Sequence, residues 1–228
     1  MFKYLLIDLD DTILDFHMAE SVALKKTLLA FGIEPTEAVC AQYSAINKTY
    51  WERLERKEIT RAQVQTGRFE TLFEELGVVA DANECCRTYM GNLSIGHYFL
   101  PGALEALEAL SKKYILYMAS NGNASVQAGR LKSANINHYF ADIFISEDMG
   151  ADKPSKAYFE KCFARMGDFN PAETMMVGDS LTSDIRGGKN AGIATCWVNP
   201  NGKTCPEDLQ PDYQIESLAQ LPALLESL

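Results

Sequence analysis

The chain opens on a short apolar run, Tyr4-Leu5-Leu6-Ile7, which has neither the length of a helix nor the alternation of a half-exposed strand. Such a run reads as a strand buried on both faces, as in parallel sheets. Past Leu14 the period changes, and apolar positions recur at helical spacing until about Gly96 with no convincing period-2 strand. Four helices are predicted there. The first covers Met18 to Phe31 and stops at Gly32, a residue suited to the left-handed position beyond a helix end. The second starts at Pro35, runs to about Arg56 and aligns Tyr43, Ile46, Tyr50 and Leu54 along one side. Thr60 to Gln63 has the form of a capping box for the third, whose Phe69, Leu72, Phe73 and Leu76 face a core ahead of Gly77. Asp81 to Glu84 repeats that signature for the fourth. A crossover in a doubly wound sheet usually needs one helix, so four in succession predict a separate, inserted helical domain.

From Pro101 the pattern alternates between strand and helix, as a parallel α/β sheet requires. Helices are predicted from Pro101 to about Lys113, from Asn123 to Ser133, from Ser155 to Met166 and from Leu181 to Ala191, the last weakened by Gly187 and Gly188. Strands are predicted at Tyr114–Ala119, Asp142–Ile145, Thr174–Val177, Ala194–Val198 and near Tyr213, before a closing helix.

Composition narrows the classes open to this chain. Its 228 residues are 47% hydrophobic and 23% charged, the values of a globular protein. No apolar run approaches the roughly 18 residues of a membrane helix. Asp8, Asp10 and Asp11 stand where a signal peptide would stay uncharged, so a cytoplasmic protein is expected. A net charge of −10 argues against nucleic acid as a partner, because long-range steering would be repulsive, and leaves a small anion held by local cations. Six cysteines without C-x-x-C spacing or nearby histidines indicate neither zinc nor a redox pair. His17, His97 and His138 are scattered and have no metal-ligand spacing.

The candidate chemistry lies where strands end. Asp8, Asp10 and Asp11 directly follow the first strand, and in open α/β sheets ligands bind at that carboxyl edge. Carboxylates this close repel one another and call for a divalent cation or a shared proton. An acidic turn is the alternative. Ser120-Asn121-Gly122 follows the second strand, where a hydroxyl and backbone N–H groups can face an anion at the next helix N-terminus. Lys153-Pro154 precedes another helix, and its ammonium could neutralise a phosphate oxygen. Asp179 ends a further apolar strand, with Asp184 five residues on, which again has the look of a metal site.

Taken in order, D-x-D-D-T, S-N-G, K-P and G-D-S-x-x-x-D resemble the signature of the haloacid dehalogenase (HAD) superfamily along the whole chain. The resemblance implies an α/β fold, a three-layer Rossmann-like parallel-sheet core over 1–14 and 98–228, with an inserted four-helix cap domain over 15–97. It also implies that Asp8 is the nucleophile forming an aspartyl-phosphate, and that Asp10 is general acid and then base. Mg²⁺ would be held by the Asp8 carboxylate, the Asp10 main-chain carbonyl and Asp179, with Asp184 ligating or holding a metal water. Ser120, the backbone around Asn121, and Lys153 would hold the equatorial phosphate oxygens. True haloacid dehalogenases lack the second aspartate, so Asp10 favours a phosphatase.

Within the superfamily, Ile46–Trp51, Gln65–Glu70 and Ala191–Trp197 resemble the pyrimidine nucleotidase branch typified by YjjG and YfnB. That likeness implies a 5′-nucleotidase for pyrimidine nucleoside monophosphates, with His17, Asn47, Trp51 and Arg68 as candidate substrate contacts. For Trp51 and Arg68 the other readings are cap core and a surface ion pair. A phosphatase of another small metabolite, such as phosphoglycolate or a sugar phosphate, is the runner-up. A non-catalytic binding domain stands behind it.

Overall fold

The computed structural model describes residues 1–228, the Glu55 side chain excepted. Six strands form one parallel sheet in the order β3-β2-β1-β4-β5-β6. They are β1 (Tyr4–Ile7), β2 (Ile115–Ser120), β3 (Phe140–Ile145), β4 (Thr174–Gly178), β5 (Ala194–Val198) and β6 (Tyr213–Ile215). The helices are α1 (Phe16–Ala30), α2 (Glu37–Glu55), α3 (Arg61–Leu76), α4 (Ala82–Ser94), α5 (Ala103–Ser111), α6 (Ala124–Ala134), α7 (Ser146–Met149), α8 (Lys156–Met166), α9 (Arg186–Ala191) and α10 (Leu221–Glu226). The chain divides into two compact units, Met1–His17 with His97–Leu228, and Met18–Gly96.

In the first unit, the pleat sends alternate residues of the central strands to opposite faces. Leu5, Ile7, Met118, Val177 and Cys196 pack on one side with Leu107 and Leu110 of α5 and Leu221 of α10. Tyr4, Leu6, Tyr117 and Met176 pack on the other with Tyr158, Phe159 and Cys162 of α8. This is a three-layer α/β domain, and double-sided burial is why β1 is apolar at every position. Each Leu, Ile, Val, Met or Phe among them contributes about 1.5–3 kcal/mol when removed from water. The strand order reverses direction at β1, since the chain places β2 and β3 to one side and β4, β5 and β6 to the other. Clefts for ligands open at the carboxyl edge of such a switch point.

The second unit is helical. Thr60 caps α3 through the reciprocal bonds of a capping box with Gln63, and Gly77 closes it with φ 65°. Asp81 caps α4 by accepting from the Asn83 and Glu84 N–H groups. Tyr43, Phe69 and Tyr89 form its aromatic centre, with Phe69 5.4 Å from each of the other two.

Of the boundaries that differ from those the pattern predicts, three have a local cause. α2 starts at Glu37 and not Pro35, because the Thr36 hydroxyl accepts from Val39 N–H and fixes the cap there. β3 begins at Phe140, two positions before Asp142, where Phe140 pairs with Leu116. Leu181–Ala191 is not one regular helix, for Leu181–Ile185 is a wide π-turn that runs into α9. Gly187 and Gly188 there are packing residues: a Cβ on either would meet Phe159 or Thr195 at 2.6 Å.

Candidate active site

Adjacent strands β2, β1 and β4 bring Ser120, Asp8 and Asp179 to one edge, and the Asp8 N–H donates to Val177 O at 2.9 Å across β1 and β4. Carboxylate oxygens of Asp8, Asp179 and Asp184 lie within 4.8 Å of one another. The π-turn after β4 supplies Asp184, whose Oδ2 accepts from Ser180 N–H at 3.1 Å. π-turns recur at functional sites because the widened turn redirects a side chain. Gly178 completes the arrangement, since a Cβ there would collide with the Asp184 carboxylate.

Lys153 is buried under this cluster. Its ammonium donates to Asp8 Oδ1 at 2.7 Å, to Asp184 Oδ1 at 2.7 Å and to Ala119 O at 2.6 Å. An ammonium has three donors, so all are committed to the protein. Lys153, expected at phosphate oxygens, holds two of the acids in this structure. Asn121 exchanges bonds of 2.8 Å with the Lys153 backbone in both directions, which ties the loop after β2 to the loop before α8.

The end of α6 also differs from expectation. Its Ala124 N–H donates to Glu147 of α7, and its Val126 N–H to the Asn123 side chain. Gly122 N–H donates to Ser120 Oγ. Those donors are satisfied by protein acceptors and do not wait for an anion.

Burial, reinforced by Asp184, holds the Asp8 carboxyl well above the usual carboxylate range, with Lys153 opposing. Asp179 is pushed up to about 7, by burial first and then by Asp184 and Asp11. Burial alone would lower the Lys153 ammonium, but Asp184 and Asp8 together hold it above its ordinary value. Negative potential thus exceeds what one lysine relieves. A donor set made of carboxylate oxygens, with one acid driven to hold a proton near neutrality, fits a hard dication that would replace that proton.

Asp10 and Asp11 are not in the cluster. Both oxygens of Asp10 are bonded, Oδ2 by Gln127 at 2.7 Å and Oδ1 by Arg130. Asp11 takes a left-handed φ of 54° and accepts from Phe16 N–H at the start of α1, so it serves the local cap weighed for it. His17 is exposed, 3.5 Å from Asp11. The cap candidates sit in the helical unit. Arg68 is buried and not in a surface ion pair: it donates to Asn47 Oδ1 at 2.8 Å, and Asn47 donates to the buried Glu20 at 2.7 Å. Its guanidinium lies 4.8 Å from the Tyr89 ring, a cation–π contact. Trp51 is half-buried beside Arg61.

Sequence reasoning missed three contributors. Gln127 and Arg130 read as the polar side of a helix, and Trp197, whose Nε1 donates to Asp179 O at 2.8 Å, reads as core. The i, i+3 spacing of Gln127 and Arg130 just after Ser120-Asn121-Gly122 is the one available signal.

A parallel α/β sheet with an acid cluster at its switch point is the layout of an α/β enzyme site. Residues 2–192 match the haloacid dehalogenase-like hydrolase family model, and the chain belongs to that family. It is 38% identical over 221 residues to the pyrimidine 5′-nucleotidase PynA of Streptococcus pneumoniae, covering 96% of this chain and 93% of that one. It is 33% identical over 223 residues to the pyrimidine 5′-nucleotidase YjjG of Escherichia coli, covering 97% of each. The crystal structure of the magnesium-bound Bacillus subtilis protein YfnB matches with a TM-score of 0.94 at 39% identity, over 98% of both chains. These are relatives of the branch that the motifs resemble. No helix among the described residues is long and apolar enough to cross a membrane.

Proposed function

We propose that this hydrolase is a Mg²⁺-dependent phosphomonoesterase acting through an aspartyl-phosphate on Asp8, with pyrimidine nucleoside 5′-monophosphates as its substrates. The observation that carries the reading is the grouping of Asp8 with Asp179 and Asp184, a nucleophile and a metal site sharing one carboxylate. The names of PynA and YjjG supply the substrate class.

Asp8 attacks phosphorus while Asp10 gives a proton to the leaving alkoxide, and Asp10 then takes one from the water that hydrolyses the intermediate. Asp8, Asp179 and Asp184, with the Asp10 carbonyl, would hold Mg²⁺, which would supply the positive charge that lets an anionic nucleophile approach an anionic ester. Lys153 fixes Asp8 and Asp184 at one oxygen each, leaving the second Asp8 oxygen to attack. Ser120 lies at the same strand edge, where its hydroxyl can serve the phosphate. The Met18–Gly96 unit is the domain that selects the substrate. Six free cysteines accord with action in a reducing cytoplasm.

The substrate half is tested by phosphate release from UMP, CMP, dUMP, dTMP, AMP, GMP, phosphoglycolate and sugar phosphates, each with Mg²⁺ and with chelator. Pyrimidine monophosphates should show a kcat/KM at least about 10-fold above the rest, a difference of about 1.4 kcal/mol, and chelator should silence them. A sugar phosphate or phosphoglycolate hydrolysed as well as UMP would remove the nucleotidase assignment.

A further inference from the structure

Beyond the strand-end residues, the first unit holds a second polar assembly built on α6. Gln127 and Arg130 stand three positions apart on one face of that helix. The amide of Gln127 donates to Asp10 Oδ2 at 2.7 Å and to Ser120 Oγ at 2.8 Å, and its oxygen accepts from Arg130 Nη1 at 3.1 Å. Arg130 bonds the other Asp10 oxygen, with its guanidinium 5.7 Å from the Phe16 ring. Both side chains are buried, Arg130 completely, whereas the Asp10 side chain is 28% exposed. Gly122 leaves room for this: a Cβ there would meet Gln127 Nε2 at 2.5 Å.

Burying a guanidinium costs free energy that an apolar residue on a sheet-facing helix would not, so packing alone does not explain Arg130. Its geometry does something specific. A carboxylate bonded at both oxygens cannot rotate about its last bond, and each oxygen keeps a second lone-pair site directed away from the clamp. We propose that Gln127 and Arg130 are positioning residues for Asp10, holding its carboxyl plane so that the open side faces the oxygen that leaves or attacks phosphorus. The clamp rests on the reading of Asp10 given above. As the Asp8–phosphorus bond forms and the ester P–O bond breaks, the proton passes from Asp10 to the leaving oxygen. As water attacks phosphorus and the Asp8–phosphorus bond breaks, a water proton returns to Asp10.

The test separates substrates by leaving group. UMP expels an alkoxide that needs a proton, whereas p-nitrophenyl phosphate expels a phenolate that needs none. The parameter kcat/KM reports only steps through formation of the aspartyl-phosphate. Arg130→Met and the milder Gln127→Met should each lower kcat/KM for UMP on the order of 10²-fold, within the range general acids supply, and for p-nitrophenyl phosphate less than about 5-fold. Asp10→Asn should show the same split, and Arg130→Lys should recover part of the UMP loss. Equal losses on both substrates in folded Arg130 and Gln127 variants, beside a split in Asp10→Asn, would overturn the clamp alone. Equal losses in Asp10→Asn would overturn the reading of Asp10, and the clamp with it.

Discussion

Asp8→Asn is expected to lower phosphate release from UMP by about 10⁴-fold or more, the scale on which removal of a nucleophile acts. The folded protein should barely notice. Asp8 is buried and bonded by Lys153 at 2.7 Å, and an amide oxygen of the same shape can accept that bond. Losing the charge weakens the attraction to Lys153 but also removes repulsion from Asp184, Asp10 and Asp179, the groups that with burial raise the Asp8 carboxyl. These changes oppose each other, so urea unfolding should shift by about 1–2 kcal/mol at most. Single-turnover release measured beside that titration gives both numbers. A variant within tenfold of the wild-type rate would strip Asp8 of its role.

Lys153→Met should have the larger effect on stability. The ammonium is the shared partner of two buried carboxylates, and its removal strands both, at a cost of about 3–5 kcal/mol for metal-free protein at neutral pH. Asp8 can then escape only by taking up a proton. Its carboxyl, which burial already holds well above the usual range, loses the cation that opposes that shift, so the folded state binds protons still more tightly than the unfolded chain and stability falls more steeply as pH increases. The sign is opposite to that of an ordinary salt-bridged aspartate. Relative to wild type, the variant should lose most at pH 8 and recover progressively toward pH 5.5, and a second change, Asp184→Asn, should restore part of the loss at pH 8. Urea denaturation in chelator at both values measures this. The same deficit at pH 5.5 as at pH 8 would mean that Lys153 contributes by packing rather than charge.

How far the site was legible depends on the distance over which its parts cooperate. β1 declared itself because burial on both faces leaves no polar position in Tyr4–Ile7, and α3 did so because the capping box and Gly77 are local chemistry. Asp8 and Asp179 could be grouped because each directly follows an apolar strand and a parallel sheet aligns those ends, and Asp184 joined them as the second acid five residues past Asp179. Arg130 gave no such sign. Its partner Asp10 lies 120 positions away, and an arginine beside Leu131 on a helix looks like solvent-facing polarity. Arg68 misled in the same way, since its neutralising surroundings of Asn47, Glu20 and aromatic faces come from three different helices. The donors at the start of α6 looked available only because Glu147, on the short α7, could not be foreseen there.

The measurement that bears most directly on the whole account is a crystal structure grown with Mg²⁺ and beryllium fluoride, a phosphoryl mimic that bonds to carboxylates. The fluoride group should be attached to Asp8, with the ion shared between the Asp8 and Asp179 carboxylates and Asp184 beside it. A dication bound away from Asp179, or a fluoride group on any other side chain, would contradict the account.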